Sequence, residues 1–522
     1  MITLVLSSLI LLPSLLLLLS SLNFGPFKSK IKMYNFSIFT MYLSLVASLV
    51  IIAQLIFGGS TTLQLFDYQN LGISLKLDTL SASMYTMIAI IGLVVVRYGK
   101  NYLHGHDHYA QFFGKLALTI ASVQLFVLSG NIAILFLAWV GTSVGLHKLL
   151  LFFPQRAQSR LAAKKKYVIA RLSDLSLLAA FACIYQVFGT GDLRAIFEGA
   201  KSTALSTNFV YGELACIFLV ITACLKSVQV PFHSWLLDVM ETPTPVSALL
   251  HAGLLNAGPY LIIRFSYLME ASNYAWVILI IVGALSALYG AVISSTQPTV
   301  KTSLAYSSIG HMGFSLMTCG MGIYPAALLH LMAHSFYKAY AFLSSGSIVD
   351  VYQTKNATQY SRNGKLLKIA VAVVSAFAVY SLSSLLWVGF EEMSFQLTIL
   401  SVVILFGMLN LHINAIDSSN TKNSIFRLIL TSAIVINSFY FFETLFHLLL
   451  GDTIPALRVT SPMLQNIAYI ILGVYFLTIL VLSYAPKLSN SNRLQNLKIH
   501  LKQGLYFNHI MNRALNALQL KK

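Results

Sequence analysis

Apolar runs recur fifteen times along the chain, near residues 2–22, 33–57, 77–98, 112–129, 131–153, 167–188, 211–240, 245–268, 274–296, 301–322, 326–350, 367–388, 395–416, 424–449 and 465–485. A helix needs about 20 mainly apolar residues to cross a hydrocarbon core about 30 Å thick. The pattern therefore predicts an all-α polytopic membrane protein with about 14–15 transmembrane helices. The first run has no positive residues ahead of it and no small-residue cleavage pattern behind it, and reads as a retained helix rather than a signal peptide. From Asn490 to Lys522 the pattern changes: Leu494, Leu497, Ile499, Leu501, Leu505, Ile510, Leu515 and Leu518 alternate with Lys, Arg, Asn and Gln. That segment predicts one or two amphipathic helices at a surface, suited to docking a partner.

Charge tests the count, because cytoplasmic loops collect Lys and Arg. Of the thirty-four Lys and Arg residues, twenty-six fall in the loops after odd-numbered spans or in the tail, and four in the loops after even-numbered spans. The asymmetry predicts an N-terminus outside, a cytoplasmic C-terminus and an odd number of spans. It also accounts for the net charge of +18 without a nucleic-acid partner; the partner the charge implies is the lipid bilayer. With 57% hydrophobic and 10% charged residues and a mean hydropathy of +0.76, the chain lies far from the roughly 25% charge of a soluble domain. Cys183, Cys216, Cys224 and Cys319 lie in apolar stretches without CxxC spacing, which predicts packed thiols. No Gly-rich nucleotide loop, nucleophile elbow or haem motif is present, so the expectation is a chain with no bond-making chemistry, not an enzyme, and with no cofactor of its own.

Ionisable residues inside a span cost roughly 2.5–3.5 kcal/mol each on the insertion scale and mark function by default. Lys226 lies fifteen residues into the seventh run, too deep to snorkel easily, and Pro231 follows it. Proline lacks a backbone donor, so the helix should break just after Lys226, as broken helices do at ion sites. Pro243 and Pro245 predict a tight extended lead-in to the eighth span, with His251 two turns inside it. His330, His334 and Lys338 stand at i, i+4 and i+8 on one face of the eleventh span, and His311 extends the row from the span before. Neutral imidazole both gives and takes a proton near pH 7, which suits these residues to a relay. No metal is expected here, because the two histidines lack an adjacent Glu and Lys338 would repel a cation. Asp174 serves either an ion pair with Arg171 or ion access, and His104, His106 and His108 read as an exposed polar turn.

The stretch from Lys226 to Arg264, with Pro243-Thr244-Pro245-Val246-Ser247-Ala248-Leu249-Leu250-His251-Ala252, resembles the proton-conducting antiporter family. That family includes the large membrane subunits of respiratory NADH:quinone oxidoreductase and of multisubunit sodium/proton antiporters. Val300 to His311 and His330 to Ala339 are similar to its second motif stretch. The resemblance implies two inverted five-helix repeats with broken helices, the seventh span being one and roughly the twelfth the other. It divides the chain into N-terminal transmembrane helices (1–110), a first antiporter-like repeat (111–268), a second (269–416), C-terminal transmembrane helices (417–485) and a cytoplasmic amphipathic tail (486–522). It makes Lys226 the central lysine of the first half-channel, with His251, His330, His334 and Lys338 as a hydrated polar axis.

Two departures matter. Respiratory members carry Gly-Trp-Glu-Gly in the fifth span where this chain has Ala138-Trp139-Val140-Gly141, and the later spans lack a central lysine between Leu366 and Ile416, where His412 is the one basic candidate for that place and Glu391 and Glu392 sit near a helix end. The run from His233 to Pro245 is instead similar to the membrane subunits of two-component inorganic carbon transporters. That branch implies a bacterial-type inner membrane and a DabA-like zinc-containing partner that turns CO2 into trapped bicarbonate while this chain passes a proton or sodium ion. The alternative is a proton-pumping or Na+/H+ antiporter subunit.

Overall fold

The computed structural model describes residues 2–22, 25–68, 71–201, 209–346, 366–387, 394–418, 422–458, 460–484 and 492–519. Helices occupy each of the fifteen apolar runs. In chain order they are α1 (Ile2–Ser21), α2 (Lys30–Gly58), a hairpin of β1 (Thr61–Tyr68) and β2 (Leu71–Leu77), α3 (Thr79–Tyr102), α4 (Tyr109–Leu128), α5 (Ile132–Leu150), α6 (Ala157–Phe188), the short α7 (Leu193–Lys201) and α8 (Phe209–Lys226). The eighth run is divided among α10 (Thr244–Leu249), a π-turn (Leu250–Leu254), α11 (Ala257–Arg264) and α12 (Ser266–Ala271), and is preceded by α9 (Ser234–Asp238). Then come α13 (Ala275–Ser294), α14 (Val300–Gly320), α15 (Tyr324–Leu343), α16 (Leu366–Trp387), α17 (Phe395–Ser418), α18 (Lys422–Leu450), α19 (Pro462–Tyr484), α20 (Asn492–Lys502) and α21 (Phe507–Gln519). Nine of the described helices are long and apolar enough to cross a bilayer, and the chain is an integral membrane protein. The nine do not include α14 and α15, whose apolar character is diluted by the polar residues discussed below.

One expectation is corrected, and two features are added to the reading. The twelfth span is not the second broken helix: Leu366–Trp387 is continuous, because it contains neither Pro nor Gly to interrupt the ladder. The eighth span is not one regular helix; Pro243 precedes its first turn and Pro245 sits within that turn, after which the π-turn carries His251. The sequence reading also missed the hairpin, which pairs Thr61 with Leu77 and Tyr68 with Leu71 around a bulge between Gln64 and Phe66. Its strands alternate sides with period two, a signal too short for a search tuned to 20-residue runs. Glu391 and Glu392 lie outside the described residues, as does the side chain of His412.

Two devices lock the frame around the future site. The first is close helix contact. A Cβ on Gly290 would stand 2.3 Å from the Gly310 nitrogen, and one on Gly283 2.5 Å from the Met317 nitrogen, so α13 and α14 touch backbone to backbone, as small residues allow in membranes. The second is a buried ion pair. Asp78 caps α3 by accepting from the Ser81 N–H at 2.8 Å, and its other oxygen accepts from Arg264 of α11. Arg264 also donates to Ser81 Oγ at 2.7 Å and Tyr260 Oη at 2.8 Å. Both charged side chains are almost fully buried, so each depends on the other.

The tail is two helices, as its amphipathic pattern predicts, and the second is anchored. Asn508 of α21 accepts from Lys165 and donates to Asp238, and the Gly504 carbonyl accepts from Tyr289 Oη at 2.8 Å.

Removing one partner of a buried pair strands the other, at a cost of about 3–5 kcal/mol. Asp78→Ala is therefore expected to lower stability by about that amount, read from the midpoint of SDS-induced unfolding in mixed micelles; an unchanged midpoint would show that the pair is dispensable.

Candidate functional site

The site begins where α8 stops. Its last residue is Lys226, and two residues later Val228 adopts φ 53°, a left-handed conformation that a β-branched side chain rarely takes. The chain then runs through Gln229 and Val230 to Pro231. Ser227, Val228 and Gln229 are buried, so their peptide groups must be paired inside the protein. Those of Ser227 and Gln229 find partners. Ser227 N–H donates to Ala223 O at 2.9 Å, Gln229 N–H to Cys224 O at 3.0 Å and Phe232 N–H to Gln229 O at 2.7 Å. The Val230 N–H donates to Ser286 Oγ of α13 at 3.1 Å, and the Gln229 side chain donates to Ser227 O at 2.6 Å.

A second break faces the first. Pro259 in α11 cannot supply the N–H that Leu255 O, four residues earlier, would receive in a regular helix. Ser227 Oγ supplies a donor to that carbonyl instead, at 2.6 Å. The approach is possible because residue 258 is glycine: a Cβ there would lie 2.2 Å from Ser227 Oγ and 2.5 Å from Ala223 O. Thus the two interrupted helices satisfy one another, and Lys226 is fixed at their junction.

The Lys226 ammonium donates to Thr142 Oγ1 at 2.7 Å, Ser143 Oγ at 2.9 Å and Trp139 O at 3.4 Å, all on α5, and lies 4.3 Å from the centroid of the Trp139 ring. Hydroxyls and an aromatic face stand where the sequence departs from the respiratory glutamate at Val140. Lys166 of α6 donates to the Ser143 carbonyl, so two ammonium groups share one serine. They line, with Thr142, Ser143 and Ser173, a cavity of about 20 Å³, room for about one water. Asp174, four residues beyond Ala170 on the same helix, is buried and pairs with Arg171 at 2.6 Å. Lys165 and Lys166, read from sequence as loop charges, are buried; a lysine run at the edge of an apolar segment looks like a loop until the helix is seen to begin at Ala157.

The second half of the polar axis is organised by α14. Leu304, Ser307, Ser308 and His311 stand at i, i+3, i+4 and i+7 and share one face. Lys338 of α15 donates to Leu304 O at 2.9 Å and Ser307 Oγ at 3.0 Å. His251 Nδ1 hydrogen-bonds Ser308 Oγ at 2.9 Å, and its ring stacks on Phe342 with centroids 4.3 Å apart. The His311 ring lies 4.8 Å from that of His334 and 5.2 Å from that of His330. The structure therefore gathers His251, His311, His330, His334 and Lys338 around α14, with Lys226 in a separate cluster. Leu250, Leu254 and Leu255 wall the Lys226 cavity, and among the described residues no hydrogen bond joins Lys226 to His251.

Sequence reasoning missed Thr142, Ser143, Ser307 and Ser308, because serine and threonine in a span carry no special signal. It also missed His233, which is buried and shares a 3.0 Å hydrogen bond between Nε2 and Tyr289 Oη. Asp238, at the end of α9, pairs with the buried Lys165. Both flank the segment just after the break, where the Phe507 ring of α21 packs on His233.

Residues 129–411, more than half of the chain, match the family model described as NADH:quinone oxidoreductase/Mrp antiporter, TM, and residues 65–113 match that of the complex I chain 5 N-terminus. A probable inorganic carbon transporter subunit DabB of Hydrogenovibrio crunogenus is 40% identical over 55% of this chain and 55% of its own length, so that match spans about half of the relative. The probable subunit DabB2 of Halothiobacillus neapolitanus is 32% identical over 85% of this chain and 80% of its own. NADH-quinone oxidoreductase subunit L of Buchnera aphidicola is 34% identical over 54% of this chain and 46% of its own. In fold, the chain is similar to one in the Mrp complex from Dietzia sp. DQ12-45-1b, with a TM-score of 0.68 and 20% identity over 97% of this chain and 59% of that one. These matches carry one conclusion: the chain belongs to the NADH:quinone oxidoreductase/Mrp antiporter family of membrane subunits.

Proposed function

We propose that this chain is the cation-conducting membrane subunit of an energy-coupled inorganic carbon transporter, working with a DabA-like zinc-containing partner in a bacterial-type inner membrane. The observation that carries the reading is the environment of Lys226. In this chain the lysine at the helix break is held by Thr142 and Ser143, and among the described residues no carboxylate forms an ion pair with it, unlike the lysine–glutamate pairing expected of respiratory pumps. The relatives named as inorganic carbon transporter subunits support the same branch.

In this reading Lys226 is a switchable positive charge. A proton or sodium ion approaches through the Asp174 side and moves on by way of the second polar cluster: His251, Lys338 and the histidines of α14 and α15. Water or a shift of Leu250 and Leu254 bridges the apolar gap. The C-terminus lies on the cytoplasmic side and the N-terminus outside, as the charge asymmetry suggests, and 111–268 and 269–416 act as inverted repeats. One cation moving down 100 mV releases roughly 2.3 kcal/mol, more than a tenfold bicarbonate gradient requires. No carbon chemistry takes place in this chain; zinc belongs to the partner. A respiratory or antiporter assembly is the second reading, favoured by the 34% identity to subunit L.

Two outcomes follow. Affinity purification from native membranes in mild detergent, with mass spectrometry and metal analysis, is expected to bring down one large zinc-bearing soluble partner, and cells lacking either subunit to lose uncoupler-sensitive bicarbonate uptake. A set of redox or small antiporter subunits would assign the pathway to the second reading instead. Replacing both hydroxyl partners of Lys226, as Thr142→Val with Ser143→Ala, is expected to cut uptake at least tenfold, since each lost hydrogen bond to a charged group is worth about 1.5–3 kcal/mol. Unimpaired uptake in an assembled complex would remove the hydroxyl pair from the pathway.

A further inference from the structure

We propose that His311, His330 and His334 form a binding site for one divalent transition-metal ion of the zinc class, and that occupation of this site arrests ion passage. The ligand set comes from two helices. His330 and His334 are one turn apart on α15, and His311 reaches them from α14; the coordinating nitrogens of all three lie within 4.8 Å of one another. The sequence offers only the i, i+4 pair, and the third ligand appears when α14 and α15 pack side by side.

Three of the ring nitrogens are also free to bind. Neither ring nitrogen of His334 has a hydrogen-bond partner among the described residues, nor has His330 Nε2. His251 differs, because its Nδ1 is occupied by Ser308. Each neutral imidazole has one lone pair in the ring plane, and three converging lone pairs with little else to receive suit a single cation. In a tetrahedral zinc site, Zn–N bonds of about 2.0–2.1 Å place the nitrogens about 3.3 Å apart. The histidines must therefore close by about 1.5 Å, a change that side-chain torsions supply. His334 is buried and His311 and His330 are half-buried, which leaves the group a side from which an ion can arrive.

The donor set selects the ion class. Imidazole suits zinc, copper, cobalt and nickel, while calcium and magnesium require oxygen ligands, and none of the three residues offers one. Three protein ligands leave the fourth position open. Lys338, one turn beyond His334, is the natural objection, but its ammonium is turned to Leu304 O and Ser307 Oγ on α14. No carboxylate belongs to the trio, so a bound ion keeps its double positive charge, and a fixed +2 charge on the axis repels any monovalent cation that must pass. The arrest rests on the ion-path reading given above; the binding does not.

The test uses the full chain, purified in detergent and stripped with a chelator, then titrated with Co2+ as a spectroscopic probe and with Zn2+ by calorimetry. One equivalent of Co2+ with the intense visible bands of tetrahedral coordination is expected, displaced by Zn2+. Affinity is expected to fall at least tenfold in His334→Ala and in His311→Gln, the second keeping a polar side chain in case the first does not fold. A variant with His104→Asn, His106→Asn and His108→Asn is expected to bind as the wild type does. Absence of the tetrahedral spectrum, or full affinity in His311→Gln, would overturn the site. Binding that depends on the trio supports the site even if the chain conducts no cation, an outcome that removes the ion-path reading alone; flux that persists with Zn2+ bound would overturn the arrest.

Discussion

The structure depends on one constraint: a peptide group freed inside an apolar membrane must find its partner within the protein. Breaking α8 after Lys226 frees several groups at once, and a break is stable only if other elements answer it. Ser286 answers the Val230 N–H. Ser227 answers the Leu255 carbonyl that Pro259 leaves open, and Gly258 keeps the two chains close enough to do so. The break is thus a shared feature of two spans, and the same contacts that repair the backbone hold Lys226 between α5 and α6.

That placement gives the site its chemical character. A carboxylate next to Lys226 would pair with it and fix its charge; hydroxyls solvate the ammonium and also accept its neutral form, because Ser and Thr both donate and accept. The two clusters, Lys226 with its hydroxyls and the histidines around α14, are each internally connected and are separated by leucines. Such a gap suits a conductor that must not leak, because an apolar barrier passes ions only when water or a side-chain movement spans it. Close packing of α13 on α14 through Gly283 and Gly290 holds the second cluster in place.

Much of this was legible in the sequence where a residue violated its surroundings. A lysine deep in an apolar run, a proline five residues later and a histidine repeat at helical spacing each carry a cost that only structure repays, so their positions were readable. The Asp174–Arg171 pair was readable from its spacing. What escaped notice either obeyed local rules or depended on distant packing. Ser307, Ser308, Thr142 and Ser143 are ordinary membrane-helix residues until a lysine or histidine from another helix reaches them. Lys165 and Lys166 looked like loop charges because burial depends on where α6 begins, and the meeting of His311 with His330 and His334 depends on the pairing of α14 with α15. The family resemblance suggested a break in the twelfth span, where the residues themselves offer no Pro or Gly, and there the residues were the better guide.

The central claim is that Lys226 carries the switchable charge on a cation path. The most direct measurement is cation-driven charge movement in proteoliposomes holding the purified complex, compared between the wild type and Lys226→Gln at equal assembly. The account predicts that charge movement falls at least tenfold with proton or sodium gradients alike, whichever ion drives the wild type. Undiminished charge movement in Lys226→Gln would contradict it.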